Sequence, residues 1–187
     1  MKPVWSIKQV FSNAEAIRRA VSALTEKDVY IGVPAENAGQ RSGGINNAEL
    51  SWLHEFGAPA AGIPARPHLL PGVEDIRNEA VKILKDAAQK ALDGKENAVE
   101  PALERIGLLG QNAVRARFQN NDWPPLKDAT LDAAPLKKDD EGNVIRDKKG
   151  NARRGKSRRE KGRVNPLLDT GQLMKSHTHV VRKRGSA

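Results

Sequence analysis

The stretch VEDIRNEAVKILKDAAQKALDGKENAVEPALERIGLLGQNAVRARFQ, residues 73–119, decides the fold class. In it Val73, Ile76, Ala80, Leu84, Ala87 and Ala91 recur every three or four residues, which places them on one stripe of a helix. Val99, Leu103, Ile106, Leu109, Ala113 and Val114 repeat the pattern, and Gly94 stands between the two runs as a C-cap. The spacing predicts two successive amphipathic helices, over about 73–92 and about 97–119. Their apolar stripes read as core or subunit-packing faces.

Immediately before this pair lies GIPARPHLLPG, Gly62 to Gly72, with three prolines and two glycines in eleven residues. Pro64, Pro67 and Pro71 each lack a backbone donor, so the segment is neither a long helix nor a central strand. It reads as a preformed extended strap. Its prolines lower the ordering cost, Ile63, Leu69 and Leu70 can anchor it, and Arg66 can hydrogen-bond carbonyls or a carboxylate. The surface under it is either the helix pair of its own chain or a neighbouring protein.

Further towards the N-terminus, SNAEAIRRAVSAL predicts a helix over about 13–25 with Ser12 or Asn13 as N-cap. DVYIGVP supplies a short strand closed by Pro34, and NNAELSWLHEFG a short helix capped by Asn46 or Asn47 and stopped by Gly57. AENAGQRSGG between them reads as a polar loop without the lysine and spacing of a phosphate cradle. Beyond the helix pair, Trp123 and Leu126 pin the turn NNDWPPLKDATL. In NPLLDTGQLMKSHTHVVRKRG, Asp169 or Thr170 caps a short helix before a final strand. The fold class expected is α+β, a small antiparallel sheet packed against two or more helices, with long extended loops.

The net charge of +9 is unevenly placed. Residues 1–136 carry a net −1, residues 137–163 a net +7 and residues 164–187 a net +3. A single α+β structural domain is therefore expected from 1–136 together with 164–187, and 137–163 is a basic flexible arm or hairpin insertion. That arm holds Lys137, Lys138, Arg146, Lys148, Lys149, Arg153, Arg154, Lys156, Arg158, Arg159, Lys161 and Arg163, with almost no apolar residue beyond Val144 and Ile145. Such a composition orders itself poorly alone. It reads as contact with DNA phosphates, contact with an acidic protein surface, or a solvated loop. With no aromatics interleaved and no helix to read bases, any DNA contact is independent of sequence.

Several chemistries are excluded or unsupported. There is no cysteine, hence no disulfide, thiolate metal site or cysteine nucleophile. No apolar run spans a bilayer, and the first twenty residues lack the apolar centre of a signal peptide. LHEFG lacks the second histidine of a zinc-binding helix, since position 58 is Ala. His177 and His179 read as a solvent-facing pair on a strand, with His54 and His68 in distant segments. No nucleophile elbow and no carboxylate pair in a raising environment is present. No catalytic, cofactor or metal residue is assigned, and the chain is read as no enzyme.

Taken in order, VYIGVP, NAELSWLHEFG, IPARPHLLPGV, the paired helices, WPPLKDATL and NPLLDTGQLMKSHTHVV resemble one family over about 29–181. It is the neck or tail-completion (head–tail joining, virion morphogenesis) protein family of long-tailed bacteriophages. The resemblance implies a structural virion protein, a subunit of a homo-oligomeric ring, six-fold by the family, at the head-to-tail junction. It implies head-closure or connector proteins and tail-tube or terminator proteins as neighbours, assembly in the bacterial host cytoplasm, and no membrane. Subunit docking then falls to Ile63, Pro64, Arg66, Pro67, Leu69, Leu70, Trp123, Leu168, Asp169, Thr170 and Leu173. His68 stands where the family more often has an aromatic, and the long basic segment is particular to this chain, with packaged double-stranded DNA as its partner or a protein neighbour. The competing readings are a tail terminator ring protein and a basic, sequence-independent nucleic-acid-binding accessory protein.

Overall fold

The computed structural model describes residues 7–39, 44–120 and 123–185. The elements run α1 (Ile7–Thr25), β1 (Lys27–Gly32), α2 (Ala35–Ala38), α3 (Asn47–Phe56), α4 (Leu69–Asp75), α5 (Arg77–Leu92), α6 (Val99–Arg117), α7 (Asp128–Asp132), α8 (Gln172–Ser176) and β2 (Thr178–Lys183). The fold is α+β: helices dominate, and β1 and β2 form a small antiparallel sheet with Val29 opposite Val181 and Ile31 opposite His179. The helix pair is present, but its first member divides. α4 ends at Asp75, Ile76 forms the junction, and α5 restarts at Arg77.

α6 is the spine of the molecule, packing against α4, α5 and both strands. Its small residues set the approach distances. A Cβ added at Gly72 on α4 would lie 2.7 Å from the Val114 Cα on α6. One added at Gly107 on α6 would overlap the His179 ring, and one at Gly110 would overlap the end of Ile31. The pleat accounts for the matching strand pattern: alternate residues Val29 and Ile31 of β1, and their partners Val181 and His179, turn towards the helices.

Two apolar clusters result. Ala20, Ala91, Val99 and Leu103 join α1, α5 and α6, with Val29 and Val181 packed on them. Val114, Phe118, Leu167 and Leu173 form the second, with Leu69, Trp123, Leu168 and Met174 around it. α1 is already helical at Ile7, so Ser12 and Asn13 lie within it rather than at its start. α3 carries a reciprocal capping box: the Asn46 side chain accepts from Glu49 N, and the Glu49 carboxylate accepts from Asn46 N. α2 occupies the start of the segment read as a polar loop, while Gln40–Gly43, and Asn121 and Asp122 of the proline turn, lie outside the described residues.

The basic segment has an ordered backbone organised by a repeat that composition alone conceals. LKKDDEGN (136–143) and VIRDKKGN (144–151) are successive octapeptides, and ARRG (152–155) begins a third. Each Asp opens the same turn. Asp139 Oδ1 accepts from Glu141 N (3.1 Å) and Asn143 N (2.8 Å), and Asp147 Oδ1 accepts from Lys149 N (2.8 Å) and Asn151 N (2.9 Å). Gly142 and Gly150 supply the positive φ, 90° and 82°, that each turn requires.

The three extended runs then close on one another. Lys137 N donates to Arg153 O, Arg153 N to Ile145 O, and Ile145 N to Lys137 O, at 2.8–2.9 Å. The bridges follow the same cycle: Leu136 with Arg154, Lys138 with Val144, Arg146 with Ala152. Where a flexible arm or a hairpin is expected from composition, the chain forms a triangular three-run meander. Backbone hydrogen bonds, rather than buried apolar area, hold it.

Candidate functional site

α3, the proline strap and the α8–β2 junction converge on one buried polar cluster. Glu55, one residue from the end of α3, is 5% exposed. Its carboxylate accepts from the backbone N–H groups of His68 (2.7 Å), Leu69 (2.8 Å) and Leu70 (2.9 Å). These are the donors that the start of α4 leaves without intrahelical partners, and Pro71, next in line, has none to satisfy. The last residues of GIPARPHLLPG are therefore a helix start built on a carboxylate thirteen residues upstream.

His68 and His177 are both 0% exposed and lie edge to face, with Phe118 against both rings. Nδ1 of His177 donates to Leu173 O (2.8 Å) and Nδ1 of His68 to Arg66 O (3.1 Å), with a Glu55 oxygen 3.4 Å away. These partners assign the tautomers and turn both Nε2 lone pairs towards each other, 3.2 Å apart. Ser51 Oγ sits between them, 2.9 Å from His177 and 3.1 Å from His68. Its one proton satisfies one of the two nitrogens. A single added proton completes the chain, His68 Nε2–H to Ser51 Oγ and Ser51 O–H to His177 Nε2, with Glu55 as the counter-charge.

Burial is the largest influence on both rings and lowers both pKa values. On His68 the Arg66 carbonyl and Glu55 oppose it. On His177 the Leu173 carbonyl opposes it, but His68 and Arg115 add to the lowering, and the value falls to about 4. Arg115 is close because its guanidinium donates to His177 O (2.7 and 3.0 Å), tying the junction to α6.

Serine, imidazole and carboxylate stand here in relay order, yet neither ring reaches solvent and the serine hydroxyl lies between two imidazoles. The cluster locks three chain segments together through these bonds, and Ser51 and Glu55 also line the groove beside Trp52 and Leu70. Among the described residues, no group of three or more His, Asp or Glu side chains could hold a metal ion. Among the same residues no helix is long and apolar enough to cross a membrane.

Above the buried cluster the surface is apolar. The rings of Trp52 and Phe56, one turn apart on α3, meet at a tilt of 48° with centroids 4.3 Å apart, and they are 69% and 51% exposed. Leu70, held beside them by the Glu55 cap, is 61% exposed, and the three border one groove with Leu69 and Val33.

The residues singled out for docking separate into two groups. Leu69, Trp123, Leu168 and Leu173 pack in the second apolar cluster. Arg66 is 4% exposed and donates to Pro124 O (3.2 and 3.3 Å), so the strap lies on its own chain at that point. Asp169 pairs with Arg158 and Arg163 at 3.5 and 3.4 Å, and Thr170 Oγ1 accepts from Gln172 N. Ile63 is half-buried, bridged to Ala58, while Pro64, Pro67 and Leu70 remain exposed.

The basic residues separate likewise. Arg159 bridges Asp128 and Asp132 at 2.6 Å, which raises its pKa further, and Arg158 donates to the carbonyls of Arg163, Asn165 and Leu168. These two anchor the meander to the body. Arg146 and Arg154 donate to the carbonyls of Gly150 and Ala134 and make no ion pair among the described residues. Lys137, Lys138, Lys148, Lys149, Arg153, Lys156 and Lys161 are exposed and make no ion pair among the described residues.

His177, read as solvent-facing, is instead fully buried one residue before β2 begins. Trp52 and Phe56 were legible as aromatics four apart on a short helix, a spacing that puts both on one face. The His68–His177 pair, 109 residues apart, left no local signal. No family model matches the chain, and neither a curated protein nor a solved structure matches it.

Proposed function

We propose that this chain is a structural, non-catalytic subunit of the head-to-tail junction of a tailed phage, a neck or tail-completion subunit that works by forming a ring with copies of itself. One observation carries the reading. Two of the segments that carry the resemblance to that family, NAELSWLHEFG and IPARPHLLPGV, interlock through Glu55 and together present Trp52, Phe56 and Leu70 to solvent. Monomeric proteins seldom expose contiguous aromatic and aliphatic side chains on a rigid frame, and such residues are the usual anchors of protein interfaces. The buried polar cluster beneath gives that face its stiffness.

The reading assigns the face to contact between subunits. Native mass spectrometry of the purified chain should show a closed oligomer, alone or on added connector. W52D and L70D should shift the population to monomer while leaving the circular dichroism spectrum unchanged, because both side chains are already in solvent. Variants that assemble as the parent does would remove the face from the interface. A parent that stays monomeric with every junction component would remove the reading itself.

A further inference from the structure

We propose that the octapeptide meander, residues 136–155, is a binding surface for the phosphate backbone of duplex DNA, without sequence preference. The inference concerns a different surface from the Trp52 face and holds whether or not the chain closes into a ring. Its first support is the fate of the charges. Of the four acidic side chains in the segment, Asp139 and Asp147 close the two turns by accepting backbone N–H groups, while Asp140 and Glu141 are exposed. Bonds from Asn151 and Lys149 hold Asp147 below the usual carboxylate range. Lys137, Lys138, Lys148 and Lys149 are left exposed and make no ion pair among the described residues, Arg153 lies near Asp147, and seven basic against four acidic residues give the segment a net charge of +3.

Rigidity is the second support. The cyclic Lys137–Arg153–Ile145 bonds and the Arg159 bridges to Asp128 and Asp132 fix the platform, so its backbone does not have to be ordered on binding. Chemistry selects the partner. Protein interfaces centre on aromatic and large apolar anchors and are depleted in lysine, and this surface offers lysine with only Leu136 as an exposed large apolar side chain. Single strands are gripped by stacking on aromatics, and residues 136–155 contain none. A duplex backbone needs only correctly placed cations. Lysines on turns and extended runs, with no helix to enter a groove, position on phosphates and do not read bases.

The test uses the full chain and a fluorescein-labelled mixed-sequence duplex of about 30 base pairs, followed by anisotropy across a salt series. Binding should be weak, in the range of about 10⁻⁴–10⁻⁶ M, and steeply salt-dependent. The variant K137Q/K138Q/K148Q/K149Q should weaken it at least tenfold. It should also flatten the log–log salt slope by up to about 3.6, or about 0.9 for each phosphate no longer neutralised. A control of equal charge loss on the body, K82Q/K85Q/K90Q/K95Q, should bind nearly as the parent does.

Equal losses in the two variants would reduce the effect to net charge and overturn the proposal. So would unchanged binding by the meander variant when its thermal unfolding matches the parent's. Displacement of the duplex by poly-L-glutamate at equal charge concentration would assign the surface to an acidic protein instead, and would equally overturn it.

Discussion

Replacing His177 by glutamine should flatten the acid dependence of stability. An unfolded histidine takes up its proton near its ordinary value of 6.5, whereas His177 in the folded chain does so only at about 4. Below pH 6.5 the unfolded state therefore binds more protons than the folded state, and the free energy of unfolding falls as pH falls. The loss begins near pH 6.5, grows by about 1.36 kcal/mol per pH unit, and levels off near pH 4, where it amounts to about 3 kcal/mol. Both rings are 0% exposed, so solvent screening does not discount this figure. Against a typical total of about 5–15 kcal/mol it is a large share. Urea unfolding followed by tryptophan fluorescence at pH 7.5, 6.0, 5.0 and 4.0 measures it for the parent and for H177Q. Contributions of carboxylates away from the cluster are common to both proteins, so the difference between their pH 7.5-to-4.0 losses reports position 177 together with its coupling to His68. The parent should lose about 3 kcal/mol more than the variant. Equal losses would mean that His177 does not titrate as its burial and its neighbours His68 and Arg115 require.

Three other changes probe the frame. E55Q keeps the shape of the cap but supplies one oxygen and an NH₂ to three backbone donors, so it should cost about 3 kcal/mol in chemical denaturation; a cost below about 1 kcal/mol would show that the cap is dispensable. G72A sets a methyl 2.7 Å from the Val114 backbone and should lower stability by about 1–3 kcal/mol, whereas a neutral result in thermal unfolding would mean that α4 and α6 separate freely. D139A/D147A removes both turn acceptors, and hydrogen exchange at the Asn143 and Asn151 amides should accelerate at least tenfold while exchange in α6 stays unchanged; unaltered protection would show that the turns hold without those aspartates.

Much of the fold was legible because helix periodicity is a local property. The stripe from Val99 to Val114 marks α6, Gly94 ends the preceding helix with a φ of 83°, and Asn46 caps α3. What escaped depends on contacts distant in sequence. The prolines of the strap suggested an extended segment up to Gly72, yet Pro71 falls in the first turn of α4, where no N–H is required, and Glu55 caps that turn from another helix. Composition described the basic segment as unable to bury a core, which is correct, but its order comes from backbone hydrogen bonds between octapeptide repeats. The recurrence of Asp-x-x-Gly-Asn at 139–143 and 147–151 was the overlooked signal. The Ser51–His68–His177 cluster has no such signal, since three elements must fold together before those side chains meet.

Assembly at the junction is tested most directly by restoring it. On the proposed reading the chain is encoded by a tailed phage, and a lysate of that phage prepared without the chain should contain filled heads and free tails. Adding the purified chain should convert them to joined particles, counted by electron microscopy and by plaque-forming units, and chain carrying W52D and L70D should not. Heads and tails that stay separate after the addition, or that join equally well without it, would contradict a role in head–tail joining.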